Sequence, residues 1–308
     1  MYDIINFYHF FSFPPSAQEQ VTRDLRELTQ RDPSLGGLVL LSDEGINLSV
    51  ASTGEGTNLV LACCAAVTDL SGTLVKRHQS PHSPFRRFTI DRRAELITYR
   101  GEQSRNHPDL FAGLPETQLS PQEWHDIIGS GEPITIIDTR NDYEVALGSF
   151  RGALNPQIKH FSDLVPWLED NPPPRDKKVL LFCTGGVRCE KVTIDLRDRG
   201  YDKVYQLHGG ILSYLEQYPD GYFDGECFVF DHRVAVDQQL RPSTKHHLCR
   251  LCGEPTMNEQ RCEYCDSSAP VCEECISRNG VVACSKNCLY HAQGRGRARH
   301  SSLSIAQS

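Results

Sequence analysis

The sequence contains no long hydrophobic run. Hydrophobic residues make up 39% of its 308 residues, and no apolar stretch approaches the ~20 residues that a membrane-spanning helix needs. Asp3 lies among the first residues, where a secretory signal would carry a basic region. We therefore expect a cytoplasmic protein with no membrane partner.

The chain also lacks an overall positive charge. Its formal net charge is −8, which argues against general polyanion binding and against DNA as a partner. Arginines nevertheless gather late in the first hundred residues, interleaved with Phe85 and Phe88: Arg77, Arg86, Arg87, Arg92 and Arg93. Arginine beside aromatic residues suits phosphate contact and base stacking on RNA. A solvated face paired with Asp91 and Glu95 explains the same residues equally well.

Fingerprints of the common redox cofactors are missing as well. Gly54 and Gly56 lack the preceding strand, the third glycine and the later acidic residue of a dinucleotide-binding loop. No two-histidine, one-carboxylate pattern for iron stands out. The sequence therefore indicates no flavin, nicotinamide or two-histidine, one-carboxylate iron site.

The first hundred residues predict an α+β domain. The patterns indicate a strand over 2–13, a helix from a capping box at Ser16 to Arg31, a hairpin over 38–50, a helix over 55–69 and strands over 74–78 and 85–98. The order β-α-β-β-α-β is typical of a ferredoxin-like or acylphosphatase-like fold. We assign this domain to residues 1–100.

Residues 120–225 predict a second domain, in which apolar strands over 134–138, 179–182 and 203–207 alternate with helices. That order predicts a parallel sheet covered on both faces, with reactive groups at the carboxyl ends of its strands. Residues 101–119, between the two domains, are predicted to be a linker.

A six-residue loop that follows the strand 179–182 is the candidate reactive site. It begins at Cys183, continues through Thr184, Gly185, Gly186 and Val187, and ends at Arg188; a helix is predicted to start near Glu190. Loop N–H groups, the helix N-terminus and the arginine charge all favour a thiolate. The alternative is an ordinary buried cysteine, but the glycines, arginine and helix that follow at once favour a reactive one.

Cysteine is concentrated near the end of the chain. Eight of the 13 cysteines form four close pairs: Cys249 with Cys252, Cys262 with Cys265, Cys272 with Cys275, and Cys284 with Cys288. In a reducing compartment such pairs predict closed four-thiolate zinc sites, here two structural ions. The spacing leaves open whether the pairs combine in order or crosswise. We assign residues 226–292 to a zinc-binding domain and 293–308 to a basic, flexible tail.

The central domain resembles a rhodanese. The resemblance is carried by Asp138-Thr139-Arg140, the segment 148–153, the Cys183 loop and Leu207-His208-Gly209-Gly210. It implies a cysteine that carries sulfur as a persulfide. Ser149 departs from the pattern, which usually has histidine there. The loop is one residue shorter than that of cysteine phosphatases, which argues against phosphate esters.

A narrower resemblance covers nearly the whole chain. The segments 43–47, 138–144, 183–191 and 228–233 occur together with the cysteine-rich tail. This combination resembles the bacterial tRNA uridine hydroxylase family. It implies hydroxylation of the wobble uridine (position 34) of tRNA at C5 with molecular oxygen, recognition of the anticodon loop, and Cys183 as the catalytic residue.

The residues leave three functional hypotheses open. In the first, the Cys183 thiolate adds to C6 of uracil, and Arg188 and loop N–H groups stabilise the resulting enolate. Cys189 then either resolves an oxidised Cys183 or, as we favour, packs in the first turn of the helix. The second is sulfur transfer through a persulfide on Cys183. The third is an RNA- or protein-binding module with an inert fold.

Overall fold

The computed structural model describes residues 1–101, 111 and 114–294. Most of the predicted linker and the tail from residue 295 therefore lie outside the described residues. The chain divides into two compact units, Met1–Arg241 and one that begins at Pro242.

The first domain of the first unit is a five-stranded sheet with two helices packed on one face. Its elements are β1 (Tyr2–Phe10), α1 (Pro15–Arg31), β2 (Gly36–Ser42), β3 (Gly45–Ser52), α2 (Gly56–Ala65), β4 (Lys76–Ser80) and β5 (Phe88–Arg92). The strand order is β4-β1-β3-β2-β5, so the predicted ferredoxin-like arrangement gains β5, parallel to β2, at one edge.

Alternation along β1 determines what each face of this sheet contacts. Ile5 and Phe7 point toward the helices and join the apolar core. Tyr8 and Phe10 point to the opposite face and line a cavity. The capping box predicted at Ser16 is wrong: α1 begins at Pro15, whose fixed φ suits a first helical position, and its N-cap makes no side-chain hydrogen bond.

The second domain is built on a four-stranded parallel sheet of order β6-β10-β9-β7. Its elements are β6 (Gln118–Leu119), α3 (Pro121–Gly129), β7 (Ile134–Asp138), α4 (Asp142–Val145), β8 (Gly148–Phe150), α5 (Leu164–Asp170), β9 (Lys178–Phe182), α6 (Val187–Asp198), β10 (Val204–Leu207) and α7 (Gly210–Gln217), with short 3₁₀ turns over Pro115–Thr117 and Phe161–Asp163. Val179 and Leu181 of β9 pack in one apolar cluster and Leu180 and Phe182 in another. The predicted sheet with both faces covered is confirmed.

Helix α6 begins one turn earlier than predicted, at Val187 instead of near Glu190. Gly186 is its N-cap and has a φ of 106°, a value that residues with a Cβ rarely adopt. A Cβ there would also lie 2.8 Å from the Tyr8 hydroxyl. Arg188 therefore belongs to the first turn of a helix and not to a free loop.

Residues 226–241 lie in the first unit, whereas the sequence pattern had grouped them with the cysteine-rich region. The strands β11 (Phe223–Gly225), β12 (Cys227–Phe228) and β13 (Ala235–Val236) belong to this part of the chain. β11 pairs with β8, and β12 pairs with β13. Cys227, Val229 and Val236 pack into the core of the second domain.

The second unit has short elements and small apolar clusters. Its elements are β14 (His247–Leu248), β15 (Pro255–Thr256), β16 (Glu259–Arg261), β17 (Ser268–Pro270), α8 (Glu273–Asn279) and α9 (Lys286–Ala292). Cysteines make up much of both clusters, so this unit has little apolar core of its own. Among the described residues, no helix is long and apolar enough to cross a membrane.

Candidate active site and cysteine clusters

Cys183 follows β9 directly, at the carboxyl end of the parallel sheet, and its side chain is buried. The Gly186 backbone N–H donates to Cys183 Sγ over 3.1 Å. Gly210, at the start of α7, approaches the loop so closely that a Cβ would lie 2.4 Å from the Cys183 carbonyl oxygen. The glycines of the two motifs thus let two turns meet around one sulfur atom.

The surroundings of Cys183 favour its thiolate. Burial opposes ionisation most strongly, but a hydrogen bond from Cys189, the Arg188 charge and the N–H groups of Arg188 and Gly186 hold the pKa of Cys183 well below its ordinary value. Burial and the Cys183 charge raise the pKa of Cys189 well above the ordinary value. These surroundings therefore favour a thiolate at Cys183 and a thiol at Cys189.

Cys189 is also fully buried in the core of the domain. Thr139 Oγ1 lies 3.7 Å from its sulfur. Cys189 packs in the first turn of α6 and also contacts Cys183. Its position is therefore compatible with both interpretations, packing and resolution of an oxidised Cys183.

Arg188 is paired with a carboxylate. Its guanidinium donates to both oxygens of Glu144, Nη1 to Oε2 over 2.6 Å and Nη2 to Oε1 over 2.7 Å. Thr184 Oγ1 donates to the same carboxylate over 3.3 Å. Burial by itself raises the pKa of Glu144. The charge of Arg188, together with the other partners of this carboxylate, outweighs burial and lowers the pKa of Glu144. Arg188 therefore orders the loop, and much of its charge is offset.

A second buried ion pair supports β7. Arg140 donates to both carboxylate oxygens of Asp138, over 2.9 and 2.7 Å. Ser149, where the rhodanese pattern usually has histidine, donates its hydroxyl to Asp138 Oδ2 over 2.8 Å. These residues contact one another and the sheet, so the Asp-Thr-Arg motif positions the strand ends beside the site.

Helix α6 also contacts the first domain through polar groups. Glu190 accepts a hydrogen bond from the Tyr8 hydroxyl over 2.9 Å. The buried Lys191 ammonium lies 2.8 Å from both Glu44 and Glu95. Because Glu44 belongs to the motif 43–47 and Lys191 to the motif 183–191, the two motifs meet in one ion-pair cluster between the domains.

A cavity of about 1570 Å³ lies between the first domain and the Cys183 loop. Cys183, Thr184, Gly185, Val187 and Arg188 line it from the loop. The sheet face opposite the helices contributes Tyr8, Phe10, Asn47 and Lys76. Residues 229–231 and 233, which include Phe230, line the cavity as well. Phe230 is 64% exposed, and its ring centre lies 5.9 Å from the Arg188 guanidinium carbon. The cavity is larger than the roughly 300–1,000 Å³ typical of small-ligand sites.

The arginines suggested for RNA contact are exposed but do not form one group. Arg77 lies on β4 and Arg92 on β5, at opposite edges of the sheet. Arg77 donates to Asn58, and Arg93 pairs with Asp91. Glu95 pairs with Lys191. Arg86, Arg87 and Arg92 have no side-chain partner among the described residues.

The eight cysteines of the second unit form two clusters by crosswise pairing. One contains Cys249, Cys252, Cys272 and Cys275, and the other Cys262, Cys265, Cys284 and Cys288. The closest sulfurs are 3.4 to 3.7 Å apart, near the ~3.8 Å expected around a tetrahedral ion with ~2.3 Å bonds to sulfur. The described histidines lie outside both clusters. These sites fit a metal ion bound by four thiolates.

The sequence alone did not indicate the site contacts of several residues. Tyr8 and Lys76 belong to another domain, and only the strand order places their face against the Cys183 loop. Glu144 and Phe230 lie inside quoted motifs, but the motifs did not indicate their contacts. The alternation of β1 offered one usable signal, because it separates Tyr8 from the core-facing Phe7.

Three family models match consecutive parts of the chain. They are described as the UPF0176 acylphosphatase like domain over residues 2–96, the Rhodanese-like domain over 120–217 and the Rhodanase C-terminal over 224–289.

Curated relatives match over most of the chain. A protein of Bdellovibrio bacteriovorus is 38% identical over 305 residues, which cover 95% of this chain and 83% of the relative. A protein of Rhizobium leguminosarum bv. trifolii is 38% identical, covering 88% and 83%. A protein of Picosynechococcus sp. is 36% identical, covering 89% of each. All three carry the name tRNA uridine(34) hydroxylase.

Proposed function

The chain belongs to the tRNA uridine(34) hydroxylase family, and from that premise we propose that it hydroxylates the wobble uridine of tRNA at C5, with molecular oxygen as co-substrate and Cys183 as nucleophile. One observation carries the proposal: a cysteine whose surroundings favour the thiolate lines a cavity large enough for a nucleotide. The cytoplasm, where tRNA is modified, is the proposed location.

The first step is addition of the thiolate to the pyrimidine. A lone pair of Cys183 Sγ forms a bond to C6, and the C5–C6 π pair moves toward C4, which gives an enolate with its charge on O4. We assign stabilisation of that charge to backbone N–H groups of the Cys183 loop. Arg188, paired with Glu144, positions the loop and adds a partial positive field.

The second step places oxygen on C5 and restores the ring. The electron-rich C5 takes one oxygen atom from O₂, and two electrons and two protons from a dithiol reductant convert the other to water. The C5 proton then leaves, the S–C6 bond breaks, and its electron pair returns to Cys183. Overall, uridine, O₂ and two thiols give 5-hydroxyuridine, water and a disulfide.

The target base must leave its stack to reach Cys183. Bases of single-stranded loops can be splayed out and stacked on aromatic side chains. Phe230 offers an exposed ring at the cavity, which supports an anticodon-loop substrate. Arg86, Arg87, Arg92 and Arg93 at the β5 edge are the proposed contacts to phosphate, with Arg77 on the opposite edge as a separate contact.

The two cysteine clusters are proposed to hold zinc. Four thiolates close a tetrahedral site with no open position, so each ion would supply folding free energy to the second unit. No step of the reaction is assigned to these ions.

Sulfur transfer is a second candidate function, because the central domain matches the Rhodanese-like domain model. In that case Cys183 accepts a sulfane sulfur and passes it to an acceptor thiol. A module without catalysis is the third, and the environment of Cys183 counts against it.

One experiment separates the three. tRNA is digested from a strain that lacks the gene and from strains complemented with the wild type, Cys183→Ala or the control Cys63→Ala, and 5-hydroxyuridine derivatives are measured by mass spectrometry. We expect loss in the deletion and Cys183→Ala strains only, with ¹⁸O from ¹⁸O₂ on C5 in vitro. Normal hydroxylation in the Cys183→Ala strain would reject the proposal. Sulfur transfer from thiosulfate to an acceptor thiol is measured on the purified wild type and Cys183→Ala proteins. Loss of sulfur transfer alone would support the second candidate, and no change in either activity the third.

A further inference from the structure

Lys76, on the edge strand β4 of the first domain, reaches the reactive loop of the second. Its side chain is 7% exposed and lines the cavity. The ammonium donates to the carbonyl oxygen of Gly209 and, over 3.5 Å, to that of Gly185. These carbonyls belong to the two turns that meet around Cys183, so the first domain delivers a cation to the cysteine loop.

Lys76 differs from the other buried cations near the loop. Each of those forms an ion pair: Arg188 with Glu144, Arg140 with Asp138, and Lys191 with Glu44 and Glu95. Within the part of the chain that the structure describes, no carboxylate lies within ion-pair distance of Lys76. A buried charge without such a partner acts on the nearest anion with little compensation.

We propose that Lys76 is a second positive charge, beside Arg188, that helps to keep Cys183 ionised, so that the first domain completes the reactive centre of the rhodanese-like domain. The inference rests on the proposed role of Cys183. It also gives the first domain a chemical task, because residues 120–217 by themselves do not contain this lysine.

The electrostatics of both groups agree with this assignment. Burial lowers the pKa of Lys76 to about 8, and the Cys183 charge opposes that decrease. Because the interaction is mutual, the Lys76 charge favours the Cys183 thiolate as well, in addition to the larger contributions of Cys189 and Arg188. A pKa of about 8 still leaves Lys76 charged at neutral pH.

Other titratable groups face Lys76 and Cys183, and substitution of Lys76 leaves all of them unchanged. Those that act on Lys76 are Glu216, Cys227, His78 and His208. Those that act on Cys183 are Arg188, Cys189, Tyr8 and Glu190. A change in Cys183 ionisation after substitution of Lys76 alone is therefore assigned to the lysine.

The test measures the ionisation of Cys183 directly. The full chain is pulse-labelled with iodoacetamide from pH 4 to 9, and the tryptic peptide 179–188, in which Cys183 is the sole cysteine, is quantified by mass spectrometry. The variants are Lys76→Met, Lys76→Arg and the control Arg77→Met, an exposed neighbour on the same strand. If the methionine variant loses its thermal transition, Lys76→Gln, which keeps a hydrogen-bond donor for the two carbonyls, replaces it.

We expect the midpoint of Cys183 labelling to rise by about one pH unit in Lys76→Met, which is a ~10-fold lower rate on the acid side. Lys76→Arg should recover part of the shift, and Arg77→Met should match the wild type. Equal midpoints in Lys76→Met and the wild type would overturn the inference. Labelling does not depend on hydroxylation, so failure of the inference and failure of the proposed function are distinguished.

Discussion

Sulfur is used in opposite ways in the two units of this protein. In the second unit each cysteine of a cluster has three other thiols as neighbours, and all eight ligand sulfurs lie in two sets of four. In the first unit Cys183 has one thiol neighbour, a helix N-terminus and a cavity. Four thiolates around an ion leave no open position, whereas one thiolate beside a cavity remains available to a substrate.

This difference between the two units shows that the groups around a cysteine determine whether it is ionised and available to a substrate. Burial alone would keep Cys183 protonated, as it does for Cys64, whose pKa burial raises to about 12. Hydrogen bonds and charge reverse that tendency at Cys183. The predictions below test this contrast.

The largest effect should come from opening a closed cluster. On the proposal that each cluster holds zinc, Cys265→Ser should lower the bound metal from about two ions per chain to about one, because it removes one of the four thiolate ligands. A structural zinc contributes roughly 10 kcal/mol or more to folding. The second unit should then melt at a lower temperature, as measured by metal analysis and calorimetry. Cys183→Ser is the matched control and should retain both ions; an equal zinc loss in both variants would remove the distinction between the two kinds of cysteine.

The next effect concerns the ion pair that orders the Cys183 loop. Glu144→Gln leaves Arg188 buried without its carboxylate and should lower the free energy of unfolding of the first unit by about 3–5 kcal/mol. Denaturant unfolding measures this. Glu27→Gln, which removes the partner of Arg31 in an exposed pair, should cost under ~1 kcal/mol. Equal costs would show that the buried pair does not stabilise the loop.

Thiol reactivity provides the third test. Cys183 has a lowered pKa, so its thiolate is present above that pKa and is lost only as the pH falls through it. Cys64, with a pKa of about 12, stays protonated at pH 7. In the zinc-loaded protein we expect Cys183 to react with iodoacetamide ~100-fold faster than Cys64 at pH 7, because the thiolate is the nucleophile. Comparable rates at the two sites would contradict the assigned environment.

The smallest expected effect is on tRNA binding. It compares exposed arginines that have a described ion-pair partner with exposed arginines that have none. Arg86→Ala and Arg87→Ala remove exposed charges without a described side-chain partner, and each should weaken tRNA binding a few-fold and reduce its salt dependence. Arg93→Ala, which removes a residue already paired with Asp91, should weaken it less. Filter binding at two salt concentrations measures both, and a larger effect of Arg93→Ala would reverse the assignment.

The sequence predicted local structure well where one signal dominated. The apolar run 134–138 is β7 without any change in its bounds, and the four cysteine pairs form two clusters. Their crosswise pairing was beyond prediction, because pair spacing is the same for either combination.

The site itself was only half predictable. Cys183, Arg188 and the glycines are close in sequence, so the loop could be found from its pattern. Lys76 and Tyr8 reach that loop from a different domain, and Glu144 removes much of the charge that the pattern assigned to Arg188. Long-range packing determines these contacts, and no local periodicity encodes them.

The central claim, that an ionised Cys183 adds to C6 of the wobble uracil, can be tested by trapping the adduct. An anticodon stem-loop with 5-fluorouridine at position 34 is incubated with the full chain without oxygen and then quenched in acid. Fluorine on C5 makes C6 a better electrophile, and acid protonates C5 of the enolate, so that the S–C6 bond is retained in a saturated adduct. Our account predicts a stable adduct on peptide 179–188 in the wild type and none in Cys183→Ser. A wild-type protein that hydroxylates ordinary tRNA but forms no adduct at Cys183 would contradict it.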